Sequence, residues 1–186
     1  MRCRRLGLFG VLVLCLSLSG CRDNHGLSGG DGHAKMDMQA AADRADRILD
    51  AVLEEVKPGV QWAHGPTSAG SCDVSRMRVV MTIVSDGRRG SFLGVVDRFW
   101  RKNGYRIKAV NRDPDLPAIY AQTSDGFGVT LSVGGGGQAF FEVDSPCVEE
   151  SEVVESTTPP NGPSYEGVYP LPRPNVHSDF WSAGAP

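Results

Sequence analysis

The sequence predicts an α+β domain, a two-layer sandwich with two helices on one face of a mainly antiparallel sheet of about six strands. Three observations carry that expectation. Apolar residues recur at helical spacing over residues 36–56 and again over 88–103. Between residues 105 and 143 the period changes to two, in four short runs whose gaps leave no room for crossover connections. Two cysteines, Cys72 and Cys147, stand just outside the runs 76–84 and 138–143. The chain divides accordingly into an N-terminal segment 1–20, a tether 21–35, the α+β domain 36–148, and an acidic and then proline-rich tail 149–186.

The first helix is expected over 36–56. Met38, Ala41, Ala42, Ala45, Ile48, Leu49, Val52 and Val56 form its apolar stripe, and it stops at Lys57 because the residue before Pro58 is driven out of helical geometry. A short strand is expected at 59–64, then a turn-rich loop GPTSAGS that delivers Cys72. Residues 76–84 alternate, with Met77, Val79, Met81 and Ile83 pointing one way and Arg78, Val80, Thr82 and Val84 the other, which marks a central strand. Ser85-Asp86-Gly87 then reads as a helix cap. Residues 88–103 set Phe92, Leu93, Val96, Phe99 and Trp100 on one face, and Gly104 stands where a left-handed terminator belongs.

The four period-two runs are 105–110, 118–123, 127–133 and 138–143, joined by NRDPDLP, Ser124-Asp125-Gly126 and four glycines at 134–137. Connections this short make neighbouring strands antiparallel, so the four form a meander. Residues 22–34 hold one large apolar residue, Leu27, and read as tether. In the tail, PPNGP and YPLPRPNV favour extended polyproline geometry. Its aromatics Tyr165, Tyr169, Phe180 and Trp181 are more than a purely solvated segment needs, which points to partial docking.

The N-terminus begins with Arg2, Arg4 and Arg5, continues through the apolar run Leu6 to Leu16, and ends in Leu18-Ser19-Gly20-Cys21. The apolar core is about half the 20 residues that a spanning helix needs. This arrangement resembles the signal peptide and lipobox of bacterial lipoproteins, the alternative being an ordinary secretory signal with an incidental cysteine. The resemblance implies a diacylglycerol on the Cys21 thiol, cleavage before Cys21, and a palmitate-bearing protein held at the extracytoplasmic face of the bacterial cell membrane. The segment VVMTIVSDGRRGSFLGVVDRFWRKNGY and the SPC that ends the domain look like those of small actinobacterial lipoproteins, a resemblance that implies no particular activity. With the signal gone and Cys21 carrying lipid, Cys72 and Cys147 remain, and an even pair in an exported protein is most simply a disulfide. Free thiols or a metal pair are the alternatives. The bridge requires 76–84 and 138–143 to be antiparallel neighbours, which gives the order 105–110, 118–123, 127–133, 138–143, 76–84, 59–64.

Few residues suggest chemistry. Removing residues 1–20 moves the formal charge from −3 to −6, and no basic face of the kind that grips nucleic acid is present. Ser91 lies in GSFLG inside a helix, without a strand-to-turn elbow. His25, His33, His64 and His177 lack metal-ligand spacing, so neither a metal nor a cofactor is expected. Asp113 and Asp115 could be paired carboxylates but flank Pro114 as turn formers do. Arg88 and Arg89 stand in the first turn of a helix, where they oppose the dipole unless an anion is near, so they are the candidate anion contact, with solvated surface charge as the alternative. No catalytic residue is singled out. The expected function is therefore a non-enzymatic binding or interaction domain, held to the membrane by its lipid and meeting an envelope protein or anionic polymer. A carrier of a small apolar ligand between helices and sheet is the alternative, and an envelope enzyme the third.

Overall fold

A computed structural model describes residues 35–134, 137–163 and 174–185. The segments assigned to signal and tether, with Cys21, lie outside the described residues, as do Tyr165 and Tyr169. The element order is α1 (Met38–Glu55), β1 (Trp62–His64), β2 (Ser68–Ala69), β3 (Val74–Val80), α2 (Asp86–Lys102), β4 (Arg106–Asn111), β5 (Ala118–Gln122), β6 (Gly128–Val133) and β7 (Ala139–Asp144). The α+β sandwich is as expected. Its open antiparallel sheet runs β1-β3-β7-β6-β5-β4, the order inferred from the meander and the cysteine pair. A seventh strand, β2, pairs Ser68 and Ala69 with Ser75 and Val74 inside the loop GPTSAGS. Two residues are too few to carry a period, so β3 templates this strand from its edge.

Asp37 caps α1 by accepting from the Ala40 amide at 2.8 Å. The expected cap of α2 is different. Ser85 occupies the N-cap position, but its hydroxyl donates to the Ala183 carbonyl at 2.8 Å and makes no cap bond to the helix. Gly104 ends α2 with φ +77°, the left-handed geometry its position called for. β3 stops at Val80 instead of continuing to residue 84, because the Met81 and Thr82 amides both turn to the Gln61 carbonyl. The Met81 carbonyl then accepts from Asn175 and Val176.

The core lies between the helices and one sheet face, and is built from the stripe of α1 with Phe92, Leu93, Val96 and Trp100 of α2 and Val129, Leu131, Phe141 and Val143 of the sheet. On β3 the helix-facing residues are Val74, Arg76, Arg78 and Val80, so two arginines point into the core side. Met77, Val79 and Met81 gather with Ala63, Phe140 and Val176 on the far face.

The tail docks in part, as its aromatics suggested, and packing continues past residue 148, since residues 149–163 and 174–185 both lie on the domain. Met38 N–H donates to Glu149 O at 3.0 Å and Glu149 N–H to Met36 O at 3.1 Å, which starts the segment beside α1. Further on, Trp181 is 1% exposed, meets Phe92 edge-on at 5.2 Å and donates from Nε1 to the Pro58 carbonyl at 2.6 Å. The docking suggested by its aromatics holds for Phe180 and Trp181. A proline-rich composition marks the absence of regular structure, not the absence of packing.

Candidate functional site

Where α1 crosses the β1 and β3 side of the sheet, charge replaces apolar packing. Arg76 and Arg78 are two apart on β3 and therefore share a face, while Asp46 and Asp50 are four apart on α1 and share a row. Both arginines are at most 1% exposed and Asp46 is 7% exposed. Arg78 Nη2 lies 2.6 Å from Asp46 Oδ1 and 3.6 Å from Asp50 Oδ1. Arg76 Nε lies 3.4 Å from the other Asp46 oxygen, so one carboxylate serves two guanidinium groups. Trp62 on β1 closes the lower side, with the Arg78 Cζ 4.7 Å from its ring centroid, a cation–π contact that needs no water.

His64 completes this group, and its tautomer follows from its partners. Arginine only donates, so His64 Nδ1 accepts from Arg78 Nη1 at 2.9 Å, leaving Nε2–H to donate to the Thr158 carbonyl at 2.8 Å. Burial and then the Arg78 charge hold this imidazole below its ordinary pKa, outweighing the Thr158 bond and the Asp46 charge, which act the other way. The ring is therefore neutral near pH 7.

Arg76 Nη1 donates to Thr67 Oγ1 at 2.5 Å, and the other partners come from the segment after the second cysteine, which runs in the same direction as α1. Gln39 N–H donates to Ser151 Oγ at 3.0 Å and Val154 N–H to Gln39 Oε1 at 2.8 Å. Arg76 Nη2 donates to Val154 O at 2.6 Å, and Arg78 Nη2 to Ser156 Oγ at 3.1 Å. Thr158 Oγ1 donates to Asp50 Oδ2 at 2.9 Å. The segment then seals the β1 edge, where Asn161 Oδ1 accepts from Trp62 N–H at 2.9 Å and Gly162 N–H donates to Trp62 O at 2.9 Å. A Cβ on Gly162 would stand 2.8 Å from Trp62 O and 2.9 Å from Trp62 N, so only glycine fits. Backbone and hydroxyl groups of this segment make its hydrogen bonds to the arginines, while its acids stay largely in water: Glu155, 89% exposed, reaches Arg76 Nη1 only at 4.0 Å, and Glu149, 60% exposed, lies 3.9 Å from Lys35 Nζ.

Chemically this is a clasp. The guanidinium groups present no open face, and their partners belong to the chain itself. Beside the clasp lies an open cleft of about 350 Å³ lined by Asp43, Asp46, Arg47, Asp50 and Glu155. Among the described residues no group of three or more His, Cys, Asp or Glu is placed to hold a metal, and no helix is long and apolar enough to cross a membrane.

The residues singled out in the sequence have varied places. Cys72 and Cys147 form a disulfide with Cα atoms 4.8 Å apart, and the adjacent Val148 N–H donates to Cys72 O at 2.6 Å. Arg88 stacks on Phe180, with Cζ 4.3 Å from the ring centroid, and Arg89 pairs with Asp86 at 2.7 Å with 11% of its side chain exposed. Both are thus engaged within the chain. Asp113 Oδ1 accepts from the Asp115 and Leu116 amides at 2.9 and 3.0 Å, the geometry of a turn former. Ser91 is exposed on α2 and His177 is exposed in the C-terminal segment. Cys21 lies outside the described residues.

Sequence reasoning missed Arg76, Asp46, Asp50 and Ser156, and placed Arg78 without giving it a role. A signal was present: two arginines on the Val80 face of a central strand, and Asp46 set between Ala45 and Ile48 of an apolar stripe. Comparison with family models, with curated proteins and with solved structures finds no match.

Proposed function

We propose that this protein is a lipid-anchored component of the bacterial envelope, held at the extracytoplasmic face of the cell membrane through Cys21 and acting by binding, without chemistry of its own. The observation that carries the reading is the sequence Leu18-Ser19-Gly20-Cys21 placed directly after a basic start and an apolar core too short to span a bilayer. The Cys72–Cys147 disulfide supports it, because such bridges persist in oxidising compartments. Two further features support binding at the surface over carriage of a ligand between the layers. The space between α2 and the sheet is filled by Phe92, Trp100, Phe141 and Trp181, none more than 1% exposed. The clasp, the disulfide and the docked C-terminal segment also make a rigid body, which loses little entropy when a partner binds.

The test is metabolic labelling with a fatty acid analogue in a producing cell, followed by mass measurement of the N-terminus. Wild-type protein takes the label on residue 21 and loses residues 1–20, whereas Cys21→Ser takes none and accumulates as precursor. A mature N-terminus elsewhere, or no lipid on Cys21, overturns the anchor.

A further inference from the structure

A shallow groove separates the C-terminal end of α1 from the outer side of α2. Its volume is about 390 Å³. Val95 and Phe99, half-buried and packed on the core, form an apolar floor. Lys57, Arg98 and Lys102 form its rim, and all three are exposed. The spacing explains the arrangement: 95 and 99, and 98 and 102, are two adjacent i,i+4 rows of one helix, and Lys57 reaches in from the turn after α1.

The rim cations are free in a way their neighbours are not. Among the described residues Lys57, Arg98 and Lys102 enter no ion pair, whereas Arg101 is held by Asp97 at 2.9 Å and Arg89 by Asp86 at 2.7 Å. Glu55 is the one acid lining the groove. Lys102 in the last turn of α2 and Lys57 just past the C-cap of α1 also offset helix dipoles, but Arg98 lies outside those turns and has no such role. Among the described residues, then, an acidic chain leaves three cations without an ion pair around an apolar floor.

We propose that this groove, rather than Arg88 and Arg89, is where the domain meets an anion, and that the anion is the headgroup of an anionic phospholipid. The charge complementarity is that of phosphate against three cations, and the floor matches the glycerol and first methylenes beneath the phosphate. A free phosphate would use the rim alone and leave Val95 and Phe99 wet. This deepens the proposed anchoring and rests on it for delivery. Residues 22–34 reach at most about 45 Å when extended, more than the roughly 27 Å length of α1, so the groove can touch the leaflet that holds Cys21.

The test uses the mature-length chain carrying Cys21→Ser, so that binding is read without the anchor. Vesicles of phosphatidylglycerol and phosphatidylcholine in equal parts are compared with phosphatidylcholine alone by sedimentation. The expected result is binding to the anionic vesicles that weakens with salt, and a loss of about a hundredfold in the triple variant Lys57→Gln, Arg98→Gln, Lys102→Gln, at about fivefold per cation removed near a surface. The control is Arg106→Gln, Lys108→Gln, Arg112→Gln on and beside β4, which changes net charge equally and is expected to leave binding within about twofold; all six side chains are exposed, so the fold is retained. Equal losses in the two triple variants, or no binding by wild type, overturn the proposal. Displacement from the vesicles by inorganic phosphate at matched ionic strength overturns it in favour of a soluble-phosphate site. Lipid labelling of Cys21 is read separately: labelled protein that ignores anionic vesicles refutes the groove alone, and unlabelled protein that binds them refutes the anchor alone.

Discussion

Arg78 on β3 and Asp46 on α1 meet at 2.6 Å between the two layers of the sandwich, where both are less than a tenth exposed. The pair has a structural consequence that apolar packing lacks. A Leu or Val stripe tolerates a small slide of helix over sheet, whereas two guanidinium groups sharing one carboxylate define a single position for α1 along β3. The same groups capture Val154 O and Ser156 Oγ, so helix, strand and the segment after the disulfide are joined at one point.

Removing the carboxylate strands two buried cations. Asp46→Ala is expected to lower unfolding free energy by about 3–5 kcal/mol, the range for breaking a buried pair from one side. Chemical denaturation monitored by tryptophan fluorescence measures it. A loss below about 1 kcal/mol would mean that water reaches Arg76 and Arg78 in the native protein.

Acid is expected to loosen the clasp through His64. Its pKa is lower folded than unfolded, so between those two values the unfolded chain binds more protons and stability falls with falling pH. The contribution is complete above the ordinary imidazole value of about 6.5 and is lost as pH drops from there towards the folded value. Protonation would put a proton on Nδ1 against the Arg78 guanidinium. In His64→Gln the part of the decline centred just below neutrality disappears, and thermal unfolding of both proteins across that range reads the difference.

Gly162→Ala places a methyl against the Trp62 backbone, which cannot yield without breaking the β1 edge contacts. The expected cost is about 1–3 kcal/mol, the range for overpacking. Hydrogen exchange gives a local readout, because the Trp62 amide, bonded to Asn161, becomes faster while amides of β6 and β7 do not change.

Trp181→Ala empties a core position between Phe92 and Pro58. A loss of about 3–5 kcal/mol is expected. Phe180→Ala, at a residue 38% exposed beside it, is expected to cost less than about 1 kcal/mol. Equal effects from the two would show that the segment is held by its backbone and not by the indole.

Much of the sandwich is legible in the sequence. Helical and two-residue periods marked both helices and five strands, the short strand expected at 59–64 is present as Trp62–His64, and the pair Cys72 and Cys147 supplied the one non-local fact needed to join the β1 and β3 hairpin to the meander. Gly104 and Pro58 marked their helix ends because their conformational limits are local. Ser85 stands at the N-cap of α2 as its sequence suggested, but its hydroxyl makes no cap bond, because the competing acceptor, Ala183 O, lies 98 residues away.

The sequence by itself determined both helices, six of the seven strands, the order of those six and the bridge, since each rests on periodicity, turn chemistry or a covalent pair, all of which act at short range or leave a countable trace. Only the tertiary structure decided that the arginines of β3 turn toward the helices and which partners residues 149–163 and 174–185 take on the domain. Those contacts join residues such as Arg78 and Ser156, 78 positions apart, through single hydrogen bonds that repeat with no period. A strand pattern states which residues share a face, but what covers that face is settled by the energy of burying charge. Two guanidinium groups can lie in the core only where acceptors converge on them, here a carboxylate, an imidazole nitrogen, the Val154 carbonyl and the hydroxyls of Thr67 and Ser156.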